Sequence, residues 1–209
     1  MSKLYVSNKD ETARMFKSDF LEAFSKVHWS VPLYIFVPVI GYLFYLSIVD
    51  YKVPALDIAG LIVAGLFIWT ITEYLLHRFV FHFHTTSDFG KRITFMFHGV
   101  HHDYPNDTKR LVMPPSVSIP LAIGFFFLFK AILGGISVAP FYIGFIAGYL
   151  FYDISHYAIH HFNMHSKFWL AIKNHHMRHH YQDPELGFGV SSPLWDLILK
   201  TGYDVKKSD

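Results

Sequence analysis

The sequence predicts an all-α integral membrane protein, with about four transmembrane helices and a cytoplasmic, helical, histidine-rich cap built to hold two metal ions. Three observations predict it. Hydrophobic residues make up 52% of the 209, aromatics 19% and charged residues only 16%, which is too apolar for a soluble domain of this length. The apolar residues gather in four long runs. Fifteen histidines occur beside no cysteine, and eleven of them fall in four tight clusters.

In chain order, residues 1–30 contain no sustained apolar core of the kind a cleavable signal needs. Phe16, Phe20, Leu21, Phe24 and Val27 instead recur at helical spacing among Lys17, Asp19, Glu22 and Lys26. That pattern predicts an amphipathic helix lying in the membrane interface, with Trp29 as a headgroup-level anchor. Apolar runs follow at 31–49, 55–76, 117–133 and 136–152. A helix needs about 20 apolar residues to cross the hydrocarbon core, so the first two qualify and the last two are short. Gly134 and Gly135 predict a tight hairpin between the last two, and a crossing or a re-entrant pair returns the chain to the same side.

Lys and Arg orient these spans. Five lie before residue 31, five between 77 and 116 and six after 152, leaving Lys52 and Lys130 for the far side. The positive-inside tendency then puts both termini and all the histidine clusters in the cytoplasm, in a bacterial inner membrane or the endoplasmic reticulum. One domain, 1–209, is expected. It comprises an interfacial segment at 1–30, a membrane region at 31–152 with a cytoplasmic loop at 77–116, and the C-terminal part of the cap at 153–209.

The clusters read HRFVFH (His77, His82), HGVHH (His98, His101, His102), HYAIHH (His156, His160, His161) and HHMRHH (His176, His179, His180). Helical spacings of three and four put rings on one face, roughly 60° and 40° apart, while adjacent histidines step by roughly 100° and can serve two metals. His82 follows His77 by five residues, about 140° around a straight helix, which predicts that these two reach different metals. Ten ligand candidates result: His77, His82, His98, His101, His102, His156, His160, His176, His179 and His180. Glu73, one turn before His77, is placed to accept that ring's second N–H, Asp153 stands likewise before His156, and His161 is a further supporting candidate. His28, His84, His165 and His175 fall outside the spacings or duplicate a neighbour.

About five nitrogens per metal exceed the four of a closed structural zinc site and leave positions for oxygen. The absence of cysteine excludes thiolate-bound iron–sulfur centres within these residues. All-imidazole ligation suits iron that binds dioxygen without identifying the metal, and zinc, which binds such sites more tightly than ferrous iron, could replace it on purification. A metal transporter or a di-haem cytochrome would carry its ligands within the spans, which are nearly free of ionisable groups, so both readings are disfavoured. No nucleic-acid partner is expected, and the oligomeric state is not legible.

Several strings carry a family resemblance: FLEAFSKVHWSVPL at 20–33, EYLLHRFVFH at 73–82, FHGVHHDYPND at 97–107, RLVMPP at 110–115, YDISHYAIHH at 152–161, HHMRHHY at 175–181 and LGFGVSSPLWD at 186–196. In this order they resemble the fatty acid hydroxylase superfamily of integral-membrane di-iron enzymes, and within it the fatty acid 2-hydroxylases. RLVMPP and LGFGVSSPLWD argue against the sterol or carotenoid hydroxylases and desaturases that share the histidine boxes.

The resemblance implies two iron ions on the ten histidines and O2 as co-substrate. It also implies insertion of one oxygen at C2 of a long acyl chain, usually carried by a ceramide or sphingolipid precursor. Two electrons per turnover would come from a separate donor, a cytochrome b5-like protein or a ferredoxin with its reductase, because the chain begins almost at the membrane region and shows neither a haem motif nor a dinucleotide fingerprint. The lipid would enter from the bilayer with its headgroup near Tyr104, Asn106, Lys109 and Arg110.

Overall fold

A computed structural model describes residues 3–203; Lys206 and Lys207, counted above among the basic C-terminal residues, lie outside them. The described residues form helices and no strand: α1 (Asp19–Phe24), α2 (Val31–Tyr45), α3 (Ala55–Leu75), α4 (Asp88–Thr94), α5 (Val100–Asp103), α6 (Pro115–Leu133), α7 (Val138–His161), α8 (Lys167–Tyr181) and α9 (Leu194–Leu199). Wider π turns occur at Leu46–Asp50, Leu76–Phe81 and Phe95–Gly99.

Local chemistry sets the ends. Pro32 and Pro115 stand in the first turns of α2 and α6, where a missing N–H costs nothing. Ser87 and Ser166 cap α4 and α8 by accepting the amides of Gly90 and Trp169 at 3.1 and 3.2 Å. Gly134, at φ 80°, ends α6 in a conformation that other residues rarely adopt.

Four stretches are long and apolar enough to cross a bilayer: Val31–Asp50, Ala55–Phe81, Pro115–Leu133 and Val138–His161. The last two, short by sequence, are helices of 19 and 24 residues. The second and fourth outrun their apolar runs because the histidines at their ends are buried in protein and need no apolar solvent.

The chain divides into two compact units. One comprises Arg14–Thr72 and Lys109–Ile154. Its centre is α7, 83% of whose apolar window is buried against 11% for α3 and for α6. The outer helices therefore show apolar side chains such as Leu56 (84% exposed) and Ile132 (67%), a surface that only lipid covers favourably.

Helices α3 and α7 pack backbone to backbone. A Cβ on Gly65 would fall 2.0 Å from the Phe141 carbonyl oxygen, and one on Gly144 would fall 2.0 Å from that of Ile62. This is the small-residue contact that substitutes for hydrophobic driving force in lipid. Trp69 fills the space beside it, edge-on to Phe145 and Tyr149 at 5.2 and 5.5 Å.

The interfacial helix expected from Phe16 to Val27 is helical only over Asp19–Phe24. The buried Glu22 carboxylate explains the difference: its Oε2 accepts the amides of Met15 (3.0 Å) and Phe16 (3.1 Å), which wraps the preceding chain around it instead of extending the helix. Its Oε1 pairs with Arg110 at 2.6 Å and with Lys26 at 2.8 Å. After α1, Val27 donates its amide to the Lys109 carbonyl at 2.8 Å. Phe20, Leu21 and Phe24 remain exposed on the short helix.

The other unit takes in the chain up to Ala13, Glu73–Thr108 and the residues from Ser155 onward. All ten candidate ligands fall within it.

Candidate metal centre

The ten histidines meet in two groups of five, within each of which one ligand atom per ring lies within 4.8 Å of the others. The first is His77, His82, His98, His102 and His179; the second is His101, His156, His160, His176 and His180. His101 and His102, adjacent on α5, point to different groups, as do His179 and His180 at the end of α8. The groups abut, with the His102 and His180 rings stacked 4.3 Å apart.

His77 and His82 share one group, contrary to the reading from a straight helix. The backbone at Leu76–Phe81 widens into a π turn in which the His82 amide donates to the His77 carbonyl at 3.1 Å. A π turn closes on the fifth residue, so residues five apart lie on one face, and the two ring centroids are 5.0 Å apart. A further π turn at Phe95–Gly99 carries His98, whose Nε2 lies 2.9 Å from that of His77.

Hydrogen bonding cannot explain the arrangement. A ring nitrogen has either one proton or one lone pair, yet His176 Nε2 lies 2.9 Å from that of His156 and 3.0 Å from those of His160 and His180. At most one of those contacts is a hydrogen bond. The Nε2 atoms of His101 and His102 are buried with no hydrogen-bond partner. Lone pairs facing one another at this range repel unless a cation lies among them, and metal–nitrogen bonds of ~2.0–2.1 Å put nitrogens at right angles ~2.8–3.0 Å apart. The donor sets therefore fit metal ions.

The rings are also neutral, the form that binds metal. Burial first, then repulsion from neighbouring rings, holds His98, His101, His102, His176 and His180 well below the ordinary histidine range. Burial also pushes His82 down to about 3, with His179 and His84 adding repulsion. It takes His179 to about 4 against the opposing pull of the Leu186 carbonyl.

The loop from Leu186 to Ser191 orients two of these rings. His77 Nδ1 donates to the Phe188 carbonyl at 2.5 Å and His179 Nδ1 to the Leu186 carbonyl at 2.8 Å. A carbonyl only accepts, so both protons sit on Nδ1 and both Nε2 lone pairs face the group. Glu73 acts one step further out than its sequence position suggested. The Phe188 carbonyl takes the His77 N–H, while Glu73 accepts the amides of Val190 (2.9 Å) and Ser191 (2.8 Å) and the Ser191 hydroxyl. Its position was legible; its partner was not, because the loop is 117 residues away in sequence.

Asp153 accepts the Met113 amide at 3.1 Å and the Tyr149 hydroxyl at 3.0 Å. His161 stands outside both groups, its ring 4.5 Å from that of Tyr157. Of the proposed headgroup contacts, Arg110 is buried in its pair with Glu22, which the charge pattern could not reveal, and Asn106 donates to the Asn8 carbonyl at 2.9 Å. Tyr104 is half-buried and Lys109 exposed. His28 bonds Ser30, His84 pairs on the surface with Glu185, and His165 is exposed.

Sequence reasoning missed Asp196 and its partner His175, 3.0 Å apart. Burial alone would raise the Asp196 carboxyl, but hydrogen bonds from His175, the Gly189 amide and the Thr201 hydroxyl hold it below the usual carboxylate range. The LGFGVSSPLWD string held the signal, since it contains both the loop and this aspartate.

The family described as fatty acid hydroxylase matches residues 62–201, two thirds of the chain and every histidine of both groups. The chain belongs to the fatty acid hydroxylase family. A dihydroceramide fatty acyl 2-hydroxylase of Arabidopsis thaliana is 37% identical over 193 residues, which cover 91% of this chain and 80% of the relative. A fatty acid 2-hydroxylase of Rattus norvegicus is 38% identical over 210 residues, covering 90% of this chain but 56% of the rat protein, so the chain spans little more than half of that relative. The solved structure of full-length scs7p, in which only the hydroxylase domain is visible, matches with a TM-score of 0.84 and 34% identity, covering 90% of this chain and 72% of the other.

Proposed function

We propose that this protein is a membrane di-iron monooxygenase that hydroxylates C2 of a long-chain fatty acyl group, carried on a ceramide-like N-acyl lipid, with O2 as co-substrate. The observation that carries the reading is the pair of abutting five-nitrogen donor sets, in a chain of the fatty acid hydroxylase family. The N-acyl carrier is suggested by the Arabidopsis relative, named for a dihydroceramide fatty acyl chain. Iron bound by the two groups would supply dioxygen activation, which no side chain can perform. Zinc could take its place on purification.

The chain's own residues hold and orient. Neutral rings offer lone pairs, the Leu186 and Phe188 carbonyls fix two tautomers, and Glu73 and Asp196 hold the loop that bears those carbonyls. No side chain has to act as a nucleophile. The acyl tail enters from the bilayer, and the exposure of Lys109 supports a contact with a polar headgroup. The bias of Lys and Arg supports a cytoplasmic face for the site. These 209 residues show no cysteine, haem motif or dinucleotide fingerprint, which supports a cytochrome b5-like protein or a ferredoxin with its reductase as the source of two electrons per turnover.

The test is expression in cells that lack 2-hydroxy lipids, followed by mass spectrometry of their lipids. N-acyl lipids gaining one oxygen at C2 support the reading. Oxygen at another carbon, or on a sterol, refutes it.

A further inference from the structure

We infer that Asp196 is a positioning residue for one of the two centres. By holding the loop that fixes His77 and His179, it sustains the metal bound by the first group and not the metal bound by His101, His156, His160, His176 and His180. The inference rests on the two-metal reading above.

Asp196 is fully buried. Its Oδ1 accepts the Phe188 amide at 2.9 Å and the Thr201 hydroxyl at 2.8 Å; its Oδ2 accepts the Gly189 amide at 2.7 Å and His175 Nε2–H at 3.0 Å. With the Gly187 amide on the Thr201 carbonyl (2.8 Å) and those of Val190 and Ser191 on Glu73, every amide from 187 to 191 is pinned. A peptide plane whose N–H is fixed has little freedom to turn its carbonyl. The 186 and 188 carbonyls are thereby aimed at His179 and His77, and the Phe188 ring packs on His77, His82 and His179 at 5.9, 5.6 and 5.7 Å.

The loop tolerates little rearrangement: Gly187 sits at φ 73°, and a Cβ on Gly189 would fall 2.1 Å from the Ser192 carbonyl oxygen. The arrangement also gives His175 a use. Although it begins the HHMRHH string, it belongs to neither ligand group and instead bonds the carboxylate that steadies the opposite side of His77 and His179. In the second group the Nδ1 atoms of His160, His176 and His180 have no acceptor among the described residues, so those three tautomers are not set by this loop.

The test uses the full chain loaded with Zn²⁺ as a redox-silent probe, with bound zinc counted against a competing chelator. Replacing His156, His160 and His176 together by Ala leaves two rings in the second group, too few to hold zinc, with the first group intact, and replacing His82, His98 and His102 does the reverse. Adding Asp196→Asn should weaken the remaining zinc about 10–100-fold in the background that keeps the first group and by less than about threefold in the one that keeps the second. Thr201→Val, which removes one hydroxyl donor and leaves the carboxylate, should shift the same background in the same direction. It decides the matter if Asp196→Asn does not fold.

Equal weakening in both backgrounds, or none in either, overturns the role of Asp196 while leaving two zinc ions on the parent chain. A parent chain that binds fewer than two overturns the two-metal reading along with the inference.

Discussion

The side chains that matter most are neutral rings held close to one another by burial, and the cost of that crowding argues for their purpose. Nitrogen lone pairs 2.9–3.0 Å apart are tolerable only around cations. Removing one such ring should therefore do more than trim a contact. His98→Ala is expected to abolish hydroxylation and to weaken metal binding by more than the roughly 10–100-fold that follows loss of an outer partner. His84→Ala, which removes only an exposed ring paired with Glu185, should leave both near the parent level. Metal analysis and lipid turnover on the two variants check this, and equal damage from both would overturn the division of the histidines.

The ten ring identities were legible because ligand chemistry leaves spacing in the sequence. Their carbonyl and carboxylate partners were not, because Phe188, Leu186 and Asp196 reach them through the fold and no spacing records it.

Elements carry the next lesson. The four spans were legible in outline because lipid demands an apolar run, but their ends were not, since buried histidines extend α7 and the stretch beyond α3 past the point where hydropathy falls. A periodicity of 3.6 also separated His77 from His82, and only the π turn unites them. Deleting Phe79, which is 56% exposed, should close that turn to an ordinary helical one and swing His82 away. Loss of one metal per chain with the other retained is the expected result; retention of both would separate the turn from ligand placement.

The α3–α7 contact should be as demanding. Gly144→Ala puts a methyl into backbone and should cost about 1–3 kcal/mol, read as a lower melting temperature in detergent. Gly41→Ala, with open space around it, should not. The Glu22–Arg110 pair gives a pH dependence. Burial would raise the Glu22 carboxyl, but bonds from Lys26, Phe16 and Met15 and the Arg110 charge hold it at about 2. Its stabilisation is thus fully present above the ordinary value of 4.5 and is lost as pH falls from there toward 2. Glu22→Gln should cost about 3 kcal/mol at neutral pH, and the gap from the parent should narrow through that window in thermal melts.

For the molecule as a whole, an apolar chain that brings ten histidines together in two groups is suited to chemistry on lipid, and the proposed electron donor is a separate protein. Turnover with NAD(P)H alone should be negligible until a donor and its reductase are added. Because Lys and Arg crowd the proposed cytoplasmic face, an acidic donor should couple less well as salt rises. Rapid turnover without a donor would reveal an electron path in this chain that its residues do not show.

The most direct measurement follows the oxygen atom itself. Iron-loaded protein, an N-acyl lipid, a donor system and ¹⁸O₂ are combined, and the product is analysed by mass spectrometry. A 2-hydroxyl group carrying the heavy isotope is the expected result. Heavy oxygen at another carbon, or a 2-hydroxyl whose oxygen comes from water, would contradict the assignment of this site to C2 hydroxylation by dioxygen.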